Sequence, residues 1–260
     1  MSTASYIAYL FLQKNYLHKS GRYFLIAGFF CHSVLIGYGC AKSGHLPVYN
    51  LHETLLLTGW AIAGVFLVFQ HKFNLRVLGI YAAPLVTIVT VVSSQAPADS
   101  VQAKNILNSI WLVFHVILIF IGYASFTLAC GTGILYLVQE HAIKAKKRGF
   151  FFKRLPSLNL LDTTGYSFIA SGFALLTIGL ISGFIYAKFA WGKFWSWDPK
   201  EVWAGIMWLF YAVLLHERLV VGWRGRKAAI MSIIGFAVLL FTFFGVNFLL
   251  KGHHGDFTKW

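Results

Sequence analysis

The hydrophobic positions of this chain fall into long, nearly unbroken runs separated by clusters of charge, rather than into the narrow stripes of water-facing helices. A helix needs about 20 mainly apolar residues to cross roughly 30 Å of hydrocarbon. Seven runs meet that requirement, at about 23–40, 51–70, 75–93, 110–138, 165–188, 200–217 and 228–250. An eighth apolar stretch, 5–13, is too short to cross comfortably and reads as an interfacial helix or a short extra span. The pattern predicts an all-α, polytopic membrane helix bundle, a single integral membrane domain over residues 1–260 without internal repeats. The basic stretch near 140–160 reads as a cytoplasmic loop that anchors helices at the inner surface.

Basic residues set the direction. With the segment before residue 23 in the cytoplasm, the inside regions hold 15 of the 22 Lys and Arg, among them Lys72, Arg76, the run from Lys144 to Arg154, and Arg218 to Lys227. The positive-inside rule prefers this orientation to its mirror image. The loops at 41–50, 94–109 and 189–199 and the C-terminus are then expected outside, at the periplasmic or outer face of the cytoplasmic membrane. The start of the chain lacks the three-part pattern of a signal peptide, so the apolar segments are expected to stay in the mature protein.

Composition agrees and adds one feature. The chain is 58% hydrophobic and 12% charged, where a soluble domain has about 25% charged residues. The net charge of +14 is accounted for by cytoplasmic loops facing anionic lipid, which leaves no case for a nucleic-acid partner. Cys31, Cys40 and Cys130 form no CxxC and lie apart, against a disulfide framework. The added feature is tryptophan, nine residues in all, with Trp191, Trp195, Trp197 and Trp203 inside WGKFWSWDPKEVW at 191–203.

The end of that segment starts a helix: Asp198 is placed as N-cap, Pro199 at the first helical position, and Glu201 at capping-box spacing. Indoles are common at membrane interfaces, where an apolar ring and one N–H suit the headgroup boundary. Four beside a glycine and a capped helix start also suit a flat platform for a planar ligand. Both readings stand on the residues alone.

Topology sorts the ten histidines. His115 lies five residues into the fourth span and His254 just past the last one, with His253 beside it as a rival; all are on the side of the tryptophan loop. His216, 17 residues beyond Pro199, is about 26 Å deeper, toward the cytoplasm. Neutral imidazoles are good iron ligands, and two facing ones make a bis-His haem site. His32 reads as a packed, hydrogen-bonded helix residue in preference to a polar contact with another subunit, and His45 and His52 as walls of an external vestibule. His18, His71 and His141 read as solvated or headgroup-facing.

The stretch WGKFWSWDPKEVWAGIMWLFYAVLLHER resembles the WWD signature of haem-handling membrane proteins, and its continuation through DPKE to LHER is most similar to the CcsA (ResC) family of the Ccs, or System II, cytochrome c biogenesis pathway. GHLPVYNLHETLLLTGW, WLVFHVILIFIGYASF and GVNFLLKGHH resemble further segments of that family, so the likeness runs from about residue 23 to 254. The resemblance implies that the chain carries haem b to the outer face. There, with a CcsB (ResB) partner and a thioredoxin-like thiol reductant, it presents haem for thioether attachment to the CxxCH cysteines of apocytochrome c, as the haem-binding half of a cytochrome c synthase (haem lyase). It also implies that His115 and His254 are axial ligands of the external haem and that His216 is one ligand of an internal site completed by the partner. Trp191, Trp195, Trp197 and Trp203 would then face the macrocycle, with Asp198 ordering their loop. The ending GHHGDF differs from the family's usual GLHSYA, which keeps His253 in competition with His254. The alternative from another class is a transporter or channel subunit with a His-lined path, in which the Trp loop only anchors the interface.

Overall fold

In a computed structural model, the chain is described over residues 1–43, 48, 50–96, 109–146 and 149–249. Among these, every regular element is helical: α1 Ser2–Leu12, α2 Asn15–Ser43, α3 Leu51–Phe73, α4 Gly79–Gln95, α5 Ile110–Lys144, the short α6 Phe150–Arg154, α7 Leu158–Trp191, α8 Pro199–His216, α9 Arg226–Leu240 and a last turn α10 Val246–Leu249. Seven helical segments are long and apolar enough to cross a membrane, and they coincide with the seven expected runs. The α8 segment continues as a π-helical turn to Val221, and α9 as another over Phe241–Gly245.

The boundaries follow ordinary signals. Asn50 caps α3 by accepting from the Glu53 N–H at 2.8 Å, and Asn74 ends it in the left-handed conformation. Helix α7 starts at Leu158, seven residues ahead of the apolar run, with Ser157 as its cap. The polar turn at Asp162–Thr164 hid that start, because Asp162 is neutralised inside the helix end by both guanidinium nitrogens of Arg218, at 2.8 and 2.7 Å.

The central pillar is α5, whose broadest partner is α7. The two run antiparallel, and a ladder of glycines on α7 receives larger side chains from α5: Phe126 lies over Gly172, Ile119 over Gly179 and His115 over Gly183. Between apolar helices there is no water to expel, so close van der Waals packing on small residues does the work of association. This ladder fixes the height and direction at which His115 leaves α5. The other side of α5 is covered by α9, where Ala229 and Ser232 crowd Gly133.

The stretch at 5–13 folds as an apolar helix of 11 residues, shorter than the seven long apolar helices. Helix α1, about 16 Å long, packs against α2 and α4: Ser2 Oγ donates to the Gly21 carbonyl at 2.8 Å, and the Thr3 and Thr87 hydroxyls pair at 2.8 Å. Tyr6 is fully buried on Gly79, and Gln70 Nε2 donates to its phenolic oxygen at 3.0 Å. His18 joins that network through Gln70, at 3.1 Å, and is only 7% exposed, so it is a buried structural residue and not a solvated one. His71 and His141 are exposed as expected.

Candidate functional site

The helix ends around the tryptophan loop enclose a cleft of about 1420 Å³, counting its open mouth. One wall is α5, with Leu112, His115, Ile119 and Tyr123; the facing wall is α7, with Gly183, Phe184, Ala187 and Trp191. The loop adds Trp195, the first turns of α8 add Lys200, Glu201, Ala204 and Gly205, and Phe243 reaches in from the π-helical turn after α9. Val48 and Thr54, at the approach to α3, complete the lining. His52, expected in this vestibule, is turned away onto α4, its Nδ1 2.7 Å from the Ser93 carbonyl oxygen.

His115 is half-buried, and its Nδ1 lies 2.7 Å from the carbonyl oxygen of Gly179. A carbonyl only accepts, so Nδ1 carries the proton and Nε2 holds the lone pair. That is the tautomer in which an imidazole ligates iron through Nε2 while its other nitrogen is oriented by a backbone acceptor. The bond exists because a helix carbonyl at Gly179 is reachable across a wall that has no side chain at 179 or 183.

The loop is built from its own polar groups. Gly192 ends α7 at φ 73°, its N–H bonded to the Lys188 carbonyl at 3.0 Å. Asp198, 4% exposed, caps α8 by accepting from the Lys200 N–H at 2.9 Å, and the full capping box with Glu201 is present. Glu201 does more than its spacing suggested: it also accepts from the Ser196 N–H at 2.8 Å and the Ser196 hydroxyl at 2.9 Å. Its carboxylate therefore ties the residues on both sides of Trp197, which has the left-handed backbone φ of 61°.

The four tryptophans divide accordingly. Trp191 and Trp195 line the cleft, with Trp195 edge-on to Phe184 at 5.8 Å between ring centres. Trp197 is not part of the lining: it is 77% exposed and stands perpendicular to Trp195, 5.8 Å between ring centres. Trp203 is tilted on Phe241, in the π-helical turn after α9, at 4.4 Å. His216 lies at the opposite end of α8, on its exposed side. His253 and His254, like His45, fall outside the described residues. The structure thus brings together His115, Trp191 and Trp195 in one lining, with Asp198 as the cap of α8 and Trp197 exposed beside Trp195.

Two lining residues were passed over in the sequence. Gly183 carries no local signal. Lys200 does: a cation in the first turn of a helix opposes the helix dipole, which favours acidic residues there.

With the geometry in place, comparison with known proteins is decisive. The family model described as cytochrome C assembly protein matches residues 48–254. The chain belongs to that family. Its matched range runs from Val48 in the cleft wall through the whole tryptophan loop, and membership places the chain in cytochrome c biogenesis. Among similar proteins are three named cytochrome c biogenesis protein CcsA. The one from Chlamydomonas reinhardtii is 38% identical over 220 residues, covering 82% of this chain and 61% of that protein. The one from Guillardia theta is 35% identical over 241 residues, covering 85% and 80%. The third, from Synechococcus sp. (strain JA-3-3Ab), is 33% identical over 267 residues, covering 82% and 78%. This chain therefore spans less than two thirds of the first relative's length.

Proposed function

We propose that the cleft is a haem site and that the chain presents haem for attachment to apocytochrome c. The observation that carries this reading is His115, held by Gly179 in the Nε2-ligating tautomer inside an aromatic cleft. The largely apolar and aromatic lining is of the kind a large flat ring calls for, and the indole N–H of Trp195 is buried with no hydrogen-bond partner among the described residues, which suits a ligand with acceptor groups. His115 would hold the iron on one side and His254 on the other. Trp191 and Trp195 exclude water from the ring faces, while the exposed Trp197 meets the incoming polypeptide. The haem supplies two vinyl groups, and each cysteine thiol adds across one of them, sulfur bonding to one carbon and the proton going to the other.

The remaining parts of the reading are proposals of the same kind. The tryptophan loop faces the periplasm or outside and the basic end the cytoplasm, where His216 on the exposed side of α8 meets a CcsB-type partner that supplies the second ligand of an internal site. A thioredoxin-like protein keeps the apocytochrome thiols reduced. The histidine of CxxCH then replaces one axial ligand, so release is a ligand exchange.

The test is the visible spectrum of the full chain purified from haem-replete cells. A bis-His haem spectrum is expected, weakened in H115A and in H254A. A colourless preparation, or spectra unchanged in both variants, refutes the reading; loss in H253A with retention in H254A reassigns the second ligand.

A further inference from the structure

Helix α1 shows what the seam between α2 and α4 accepts. Those two helices scarcely touch each other, and α1 lies against both. Tyr6 fits between Gly21 of α2 and Gly79 of α4, and hydroxyls close the contact: Ser2 on the Gly21 carbonyl, Ser5 with Ser20, and Thr3 with Thr87. Helix α1 starts at Ser2, four residues and so about 6 Å from Tyr6. Its two flanks run on. Eleven residues past their glycines, about 16 Å along each helix, stand His32 on α2 and Thr90 on α4. The two meet over α3, where a Cβ on Gly59 would lie 3.4 Å from Thr90 Oγ1 and 3.6 Å from His32 Cε1. The flanks therefore keep register, and the seam continues about 10 Å beyond α1 with α3 as its floor.

That stretch holds an unmet polar group. His32 is half-buried near the middle of the α2 span, and its imidazole, expected to be hydrogen-bonded, has no hydrogen-bond partner among the described residues. Thr90 donates its own proton to the Val86 carbonyl at 2.8 Å. An ionisable side chain at that depth costs free energy until something pairs with it. Helix α2 is also the least covered span: 6% of the residues in its most apolar stretch are buried, against 22–61% in the other six.

We infer that the seam beyond α1 is a docking surface for a transmembrane helix of another polypeptide, one that carries a hydrogen-bonding side chain level with His32. Helices in a membrane associate through small residues and side-chain hydrogen bonds, which is how α1 is already seated in the same seam. A second copy of the chain fits less well. Its least covered helix is α2, whose exposed face at this depth is Phe30, Cys31, Val34 and Leu35, without a strong hydrogen-bonding group. No residue of α2 or α4 lines the tryptophan cleft, so the surface stands whatever that cleft holds.

The experiment places a photoreactive benzoylphenylalanine in the full chain, in its native membrane. The test positions are Leu35, three residues past His32, and Ser94, four past Thr90, on the same faces; the controls are Phe30 and Ile88, two residues before them and on the far faces. Leu35 and Ser94 are expected to give one protein adduct of the same mass, and Phe30 and Ile88 to give lipid adducts. H32F is expected to lower the protein adduct roughly threefold to tenfold, the range of one interhelical hydrogen bond in a membrane. H32Q keeps hydrogen-bonding groups and should retain most of it. With the purified chain in phosphatidylcholine vesicles, a leucine-rich transmembrane peptide with one central glutamine should bind more tightly than its all-leucine counterpart, and lose that advantage in H32F. Lipid adducts alone, or equal protein adducts at all four positions, overturn the surface, and that comparison needs no histidine variant to fold. An adduct of twice the chain's mass overturns the inference in favour of a second copy. A yield or a peptide preference unchanged in H32F overturns the pairing with His32.

Discussion

A Cβ placed on Gly183 of α7 would lie 2.5 Å from Nδ1 of His115 on α5. The imidazole occupies the space that the missing side chain leaves, and its bond to the Gly179 carbonyl depends on that space. G183A must push the ring off its acceptor, and groups that orient a metal-ligating histidine are worth about 10–100-fold in affinity. Haem titration of G183A is expected to show a loss in that range. G28A is the control, because a new methyl on that α2 glycine, away from the cleft lining, would meet nothing within 4 Å.

The contrast between Gly183 and the spans shows what the sequence can carry. Spans were legible because each must satisfy the hydrocarbon by itself, so the seven runs needed no tertiary information. The capping box at Asp198 and Glu201 was legible for the same reason, being local. Which of the 24 glycines receives His115 is a matter of register between α5 and α7, and no single helix encodes it. His18 was misread because burial came from α1 folding back along α2, a contact outside its own helix. Lys200 was legible as an anomaly of helix electrostatics and was overlooked beside four tryptophans.

Removing the Glu201 carboxylate should loosen the loop more than removing a simple cap. It accepts from the Ser196 N–H, the Ser196 hydroxyl and the Asp198 N–H. E201A is expected to cost about 2 kcal/mol, above the usual value of about 1 kcal/mol for a lost cap. Proteolysis or hydrogen exchange across 192–198 should quicken severalfold, while exchange in the middle of α5 stays as it was. Equal change in both places would mean that Glu201 supports the bundle rather than the loop.

Trp197 allows the backbone to be separated from the indole. Its φ of 61° is left-handed, which costs an ordinary residue roughly 1 kcal/mol and glycine little. Both W197G and W197A remove the exposed ring, so any difference between them comes from the backbone. Thermal unfolding in detergent should find W197G more stable than W197A, by less than about 1 kcal/mol because glycine also gains freedom in the unfolded chain. If Trp197 meets the incoming polypeptide, both should retain haem equally and both should attach it more slowly.

At the other end of the bundle, Arg218 and Asp162 face each other with side chains 13% and 11% exposed. Asp162 also accepts from the Gly225 N–H at 2.8 Å, so one carboxylate joins α7, the π-helical turn after His216, and the start of α9. R218A leaves that carboxylate buried without its main partner, which costs about 3 kcal/mol at such sites. R218K keeps the charge, yet one ammonium cannot reproduce the two parallel bonds, so it should recover less than half of the loss. In D162N/R218A the uncompensated charge is gone, and the double variant should be more stable than the sum of the single changes by at least about 1 kcal/mol. Additive losses would show that the pair is not coupled and that the turn after His216 is held by its apolar contacts alone.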